Sequence, residues 1–397
     1  MKIGLFKLLL LLPFLAACQT ISPRLVCHLP DVIRETSGLI ALSPNIFWTM
    51  NDSGGENKLY QFDSTGHIHR VLILNGATNK DWEELATDAS GNFYVGDIGN
   101  NSEKRTNLIV YKVLKSDVLA TANDSVSTVN VTLMPYNYAD QSEFPPPPAR
   151  QYFDAEAMLV YNDTISIFSK DFDTDPYIGS THIYGMRNQS GIGQQAAARV
   201  DTFATDNSWK YRGAITAAAV SPDRSKVILM SYQKLWIFTN FVGKAFWKGQ
   251  KRELSFGIND FVQREAVAFV DNCTVYITSE KNTVSGVTLG GNLSTLNICD
   301  FLPTSTQDVA AFTPKITAFP TPSVSDVFLE LSDSFSEDLK VKIYNINGIE
   351  IFQSIIKAGE KRITVNSEYF TMAGFYIVKL LSKQNLPIHM HKIFIVR

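Results

Sequence analysis

A pattern that returns five times between residues 35 and 280 limits what this chain can fold into more than any other feature. Each copy opens on an acidic or polar residue and continues with a short run of small apolar residues. It then turns and closes with an alternating strand that ends in polar side chains. The copies are 35–42 with 46–52, 81–88 with 92–97, 154–161 with 165–170, 213–220 with 227–232, and 264–269 with 275–280. Counted from Leu39, Leu85, Met158, Ala218 and Val267, the spacings are 46, 73, 60 and 49 residues. A four-stranded propeller blade takes roughly 40–50 residues before insertions. A sandwich needs long-range Greek-key pairing and gives no reason for a repeat. We therefore expect an all-β chain: a five- or six-bladed β-propeller over residues 22–302, followed by a small β-sandwich. Small residues opening each repeat suit inner strands packed around a crowded channel.

The two ends read differently from the body. Lys2 and Lys7, the apolar run Leu8 to Leu15, and Ala16, Ala17 and Cys18 predict an export signal over residues 1–21. Leu15-Ala16-Ala17-Cys18 resembles a bacterial lipobox, which would place a lipid on Cys18. No later stretch reaches the roughly 18 apolar residues of a spanning helix. After Leu302 a Pro/Thr/Ser stretch reads as a linker over 303–322. Alternating runs such as 339–344 make 323–397 a small all-β module. Four prolines, Pro145 to Pro148, mark an insertion that cannot enter a sheet interior. With Cys18 set aside, Cys27, Cys273 and Cys299 leave one thiol over; Cys27–Cys299 would staple a ring closed, and Cys273–Cys299 would lie within one blade. A net charge of −3 built from well-mixed charges provides no basic stripe for nucleic acid.

The last eighty or so residues carry four pieces in a recognisable order: Ala318-Phe319-Pro320-Thr321-Pro322, then 341–351 with Asn345, Asn347 and Gly348, then Gly374-Phe375-Tyr376, then a basic apolar strand over 392–397. They resemble the type A C-terminal sorting domain of type IX secretion in Bacteroidetes, with Thr321 where the family has Asn. The resemblance implies the type IX machinery as a partner, passage through the outer membrane, and attachment to the cell surface or release.

The repeats also carry what chemistry there is. Blades place equivalent positions at one height around one axis, so acids distant in sequence are expected to meet at one mouth of the channel. Glu35, Asp52, Asp81, Glu84, Asp97, Glu265 and Glu280 are the candidate metal ligands, because clustered carboxylate oxygens suit a hard cation such as Ca²⁺. Glu83, Asp154, Glu156 and Lys170 are the candidate catalytic residues, with one carboxylate activating water. Against these stands the plainer reading of Asn51-Asp52-Ser53-Gly54-Gly55 and Asp97-Ile98-Gly99-Asn100-Asn101 as turn chemistry.

The pieces Glu35-x-Ser37-Gly38-Leu39, Asn51 to Gly55, Asp81-Trp82-Glu83, Gly96 to Asn101 with Arg105, and Asp154-x-Glu156-Ala157 resemble secreted bacterial β-propellers related to phytase-like and esterase-like propellers. That resemblance implies Ca²⁺ and phosphoester or ester hydrolysis, with Lys170, Arg105, Arg212 and Lys281 as the available cations. The alternative is a non-catalytic propeller that binds glycan or protein at the surface. No Gly-x-Ser-x-Gly, His-Glu-x-x-His, P-loop or Gly-x-Gly-x-x-Gly occurs. His67-x-His69 reads as a polar strand beside a turn.

Overall fold

In each repeat the small apolar run and the following alternating run pair as antiparallel strands, because both are bounded by Gly, Asn or Asp turns that reverse the chain. The computed structural model describes residues 19–257, 260–284, 286–302, 316–331, 338–382 and 387–396. Most of the export signal, Cys18 and residues 303–315 of the linker region lie outside the described residues.

Five blades result. Blade 1 is Thr36–Ser43, Ile46–Asn51, Lys58–Phe62 and Ile68–Asn75; blade 2 is Trp82–Thr87, Phe93–Asp97, Leu108–Val113 and Thr132–Tyr138. Blade 3 is Ala155–Tyr161, Thr164–Ser169, Ser180–Arg187 and Gln195–Ala204; blade 4 is Ile215–Val220, Val227–Ser231, Lys234–Thr239 and Gln250–Ser255. Blade 5 takes Arg264–Phe269, Thr274–Ser279 and Asn292–Asn297, and its outer strand is Arg24–His28 from the start of the chain. The first strand of each blade packs against the first strand of the next, and that of blade 5 against that of blade 1, so the ring closes. The long 73-residue interval after the second repeat is not a sixth blade. It holds Ser125–Asn130, which adds in parallel to the outer edge of blade 1, before the chain returns to complete blade 2.

The apolar faces are buried between blades. Trp48 and Met50 of blade 1 pack with Trp82, Leu85 and Phe93 of blade 2, with the Trp48 and Phe93 rings 5.9 Å apart. Tyr94, Met158 and Tyr184 join blades 2 and 3, and Ile228, Val267 and Ile277 join blades 4 and 5. At the N-terminal edge Gln19–Thr20 adds in parallel to Gln250–Ser255, and Ile21 is buried.

The cysteines choose the bond within a blade: Cys273, in the turn before the second strand of blade 5, is joined to Cys299, just beyond its third strand. Cys27 is a free thiol whose pKa is pushed up to about 11 by burial and by Asp63. Ring closure therefore rests on main-chain hydrogen bonds between Arg24–His28 and Asn292–Asn297, not on a Cys27–Cys299 staple. Replacing Cys273 and Cys299 by Ser is expected to cost about 3 kcal/mol, the loop entropy released to the unfolded chain. Chemical unfolding with and without reductant measures it; an unchanged midpoint would contradict the assignment.

The C-terminal unit is a separate sandwich. Ile316–Phe319, Val327–Leu331 and Arg362–Val365 form one sheet; Glu350–Ile356, Leu339–Asn345, Gly374–Leu381 and Pro387–Ile395 form the other. Ile316, Leu329, Val341, Ile343, Tyr376, Val378 and Ile393 fill its core. The Asn-Gly signal has a physical role here. Asn345 Oδ1 accepts from the Asn347 and Ile349 amides, and Gly348 takes a φ of 77° to turn the chain. Tyr376 is buried, with its hydroxyl donating to the Met372 carbonyl at 2.8 Å.

Candidate functional site

One backbone irregularity builds the mouth of the channel. In all five blades the pairing between first and second strands slips by one residue at the same place: between Ser37 and Leu39, Trp82 and Glu84, Ala155 and Ala157, Ile215 and Ala217, and Arg264 and Ala266. A β-bulge leaves its extra residue unopposed and re-aims its side chain. The extra residues are Gly38, Glu83, Glu156, Thr216 and Glu265. Three of the five are acids on the strands that line the axis. The positions just beyond the second strands add Asp52, Lys170, Tyr232 and Glu280. Asp52, Lys170 and Glu280 are each held by a main-chain hydrogen bond to the residue preceding the first strand (Glu35, Asp154 and Gln263).

Carboxylate oxygens of Asp52, Asp81 and Glu83 lie within 4.8 Å of one another. Gly99 makes room for them. A Cβ at that position would fall 2.4 Å from Glu83 Oε1 and 2.5 Å from Asp81 Oδ2. The loop that carries Gly99 is tied down by its own polar residues: Asn100 donates its amide to Asp154 Oδ1 at 2.6 Å, and Arg105 donates to Asp97 Oδ1 at 2.7 Å. Lys170, buried beside this group, forms an ion pair with Glu156 and lies 3.3 Å from the Tyr232 hydroxyl. Glu156 Oε2 is buried without a hydrogen-bond partner among the described residues.

Burial and mutual repulsion set the protonation of the site. Burial, then the charges of Asp52 and Asp154, push Asp81 up to about 7. Burial raises Glu83 well above the ordinary range, helped by Asp52 and Glu156. Glu156 and Glu280 are raised for the same two reasons. Glu265 is raised by burial and by Glu156. Burial opposes the charge on Lys170, but Glu156, Glu265 and Asp154 outweigh it and hold the ammonium protonated.

The candidate residues thus separate by role. Asp52, Asp81, Glu83, Asp154, Glu156, Lys170, Glu265 and Glu280 act on one another at one mouth. Glu84 stands apart, although it adjoins Glu83. It accepts from the Leu85 amide at 2.9 Å and from the Ala218 amide of blade 4 at 3.0 Å, so it ties inner strands together across the channel. Asp97 accepts from the Asp81 amide as well as from Arg105 and holds the Gly99 loop. Glu35 is at the rim, 3.1 Å from Arg34. His69 lies between Asp63 at 2.9 Å and Asp124 at 3.2 Å, where hydrogen bonding explains it without metal.

Two participants carried no signal on their own. Tyr232 occupies in blade 4 the place that Lys170 occupies in blade 3, and alignment of the repeats would have found it. Glu103, buried in a loop with a φ of 51°, accepts from the Phe153 amide at 2.8 Å through its carboxyl. Burial first, then Asp154 and Asp171, push it up to about 8.

Comparison with known proteins adds the destination of the chain. Residues 317–396 match the secretion system C-terminal sorting domain. No curated protein matches the chain. Among solved structures it is similar to PorZ of Porphyromonas gingivalis, described as an essential bacterial surface component of the type-IX secretion system, at 12% identity over 91% of this chain and 45% of that one, with a TM-score of 0.32. The chain therefore spans under half the length of PorZ. It is also similar to a putative 6-phosphogluconolactonase from Bacteroides uniformis (12% identity, 91% and 100% covered, TM-score 0.33) and to a putative TolB from Agrobacterium tumefaciens (11% identity, 72% and 90% covered, TM-score 0.28). Fold and C-terminal match together establish an exported, surface-directed protein in which a five-bladed β-propeller is followed by a type IX secretion sorting domain.

Proposed function

We propose that the propeller binds a hard divalent cation, Ca²⁺, through Asp52, Asp81 and Glu83, and that the site so formed hydrolyses an ester or phosphoester. The observation that carries this reading is the meeting of those three carboxylates within 4.8 Å at the mouth, in a cradle that any side chain on residue 99 would fill. Oxygen-only donors of this kind suit Ca²⁺, and the unpartnered Glu156 Oε2 nearby is a further oxygen seeking a donor or a cation. A bound cation would supply charge to polarise the ester oxygen. The chain's own contribution is proton control. Burial pushes Glu156 up to about 8, so near neutral pH its carboxyl exchanges a proton, as a general acid–base does, and Lys170 pairs with it when it is ionised.

A second reading, a binding propeller without turnover, is favoured by one observation. Lys170, Arg105, Arg212 and Lys281 are paired with Glu156, Asp97, Asp206 and Asp31, so each cation that would grip a phosphate is already engaged. Thermal melting in Ca²⁺ at about 100-fold over its Kd should gain roughly 2.7 kcal/mol of stability. Asp52→Asn, Asp81→Asn and Glu83→Gln should each remove most of that gain. Chromogenic esters and phosphoesters then separate the readings: turnover abolished by chelation supports hydrolysis, and a shift without turnover supports binding. Three variants that keep the full Ca²⁺ shift would end the proposal.

A further inference from the structure

The blade 3–5 side of the mouth has its own character. Glu265 and Glu280 have Lys170 as their shared cationic neighbour, and Lys170 is already paired with Glu156. Arg264 is taken by Asp260 at 2.6 Å and Lys281 by Asp31 at 2.6 Å. The buried Oε2 of Glu156, whose carboxyl acts most strongly on Glu265, has no hydrogen-bond partner among the described residues. This half therefore gathers three carboxyl groups around one shared lysine, with an orphaned acceptor among them, and an incoming cation would favour their ionised forms.

Aromatic rings lead outward from it. The Tyr232 ring is 5.8 Å from Tyr211, Tyr211 is 4.8 Å from Trp209, and Trp209 is 6.3 Å from Phe261. Tyr232 is 6% exposed, Tyr211 37% and Phe261 63%, with Trp209 half-buried between the last two. Trp209 and Tyr211 precede the first strand of blade 4, Tyr232 follows its second strand, and Phe261 precedes the first strand of blade 5. A metal ion gains little from such a wall, and a neutral apolar ligand gains nothing from the acids. An ammonium group on a carbon skeleton uses both, through the ring faces and through the carboxyls whose ionised form it favours. The protein already shows the affinity: Lys210 Nζ sits 3.9 Å from the centroid of Phe172, whose ring abuts Tyr211.

We propose that this half of the mouth binds an organic ammonium ion against Trp209, Tyr211 and Phe261, with Glu265 and Glu280 as its counter-charge. An anion next to the ammonium would face the same acids, so the ligand carries its positive charge unaccompanied. The aromatic wall is separate from the Asp52–Asp81–Glu83 group; Asp52 acts on Glu280, so the site is tested without Ca²⁺.

Calorimetry on the full chain in EDTA tests it with three probes: choline, its uncharged isostere 3,3-dimethylbutan-1-ol, and phosphocholine. Choline is expected to bind at least about tenfold more tightly than either of the others. Tyr211→Ala and Phe261→Ala, both at exposed positions, should each weaken choline several-fold with unchanged melting, and Glu265→Gln should reduce the preference for choline over its isostere. No choline binding at millimolar concentration, equal binding of choline and isostere, phosphocholine as tight as choline, or insensitivity to both aromatic variants would each overturn the assignment. Ca²⁺ melting shifts, measured separately, report on the other half, so failure of one site is distinguishable from failure of the other.

Discussion

In the presence of EDTA the unfolding free energy is expected to fall by several kcal/mol between about pH 5 and about pH 8, and Ca²⁺ to restore a large part of it. The sign follows from acids whose pKa is raised by folding. Asp81 moves from 3.8 to about 7, and Glu103 from 4.5 to about 8, each chiefly through burial. Between the unfolded and folded values the native chain holds protons that the unfolded chain has released. Their contribution is therefore complete below about pH 4 and is lost as pH rises through the folded values. Glu83 and Glu265 shift in the same direction. Acids moved the other way act below this window: hydrogen bonds and Lys234 outweigh burial at Asp206 and hold it at about 2, and Asp63 is lowered by its bonds to Thr65 and His69. Ca²⁺ should rescue the share belonging to Asp81 and Glu83 but not that of Glu103, which lies outside the triad. Urea unfolding across the pH range, with chelator or with Ca²⁺, gives both curves. A chelated profile that is flat or rises with pH would refute the account.

Gly38→Ala is expected to cost about 4 kcal/mol and to disturb the ring itself. Gly38 is the bulged residue of blade 1, with a φ of 70°, and a Cβ there would lie 2.3 Å from the Leu85 amide nitrogen and 2.9 Å from the Glu84 carbonyl carbon. Those atoms are main chain of the neighbouring inner strand, so the blades must separate to accept it. Gly54 provides the control. It has the same φ of 70°, but nothing lies within 4 Å of its missing Cβ, so Gly54→Ala should lose only the backbone strain, about 1 kcal/mol. Equal losses for the two variants would show that the contact between blades 1 and 2 is slack.

The repeat was legible because its cues are local: small residues where inner strands crowd, alternation where strands are half covered, and Asn, Asp or Gly where the chain turns. The sorting domain was legible for the same reason, through Asn345, Gly348 and Tyr376. The blade number was not, since a parallel strand on blade 1 and a sixth blade fill a long interval equally well in sequence. The acids show a sharper limit. Glu83 and Glu84 are neighbours of one type, yet one joins Asp52 and Asp81 while the other crosses to the Ala218 amide. A bulge decides which goes where, and it depends on pairing with a partner strand. The place of Asp97 was hidden likewise, because its partner Arg105 meets it only once the Gly99 loop has formed.

The outermost strand of blade 5 comes from Arg24–His28, and Arg24 pairs with Thr295, a separation of 271 positions (295 − 24). A chain delivered N-terminus first therefore presents one half of its final seam at the outset and must wait for almost the whole propeller before the other half arrives. Until then the seam has a bare edge, and the mouth has no fifth wall to hold Glu265 and Glu280 in place. Completion of the ring and assembly of its acidic mouth thus become a single late event in folding.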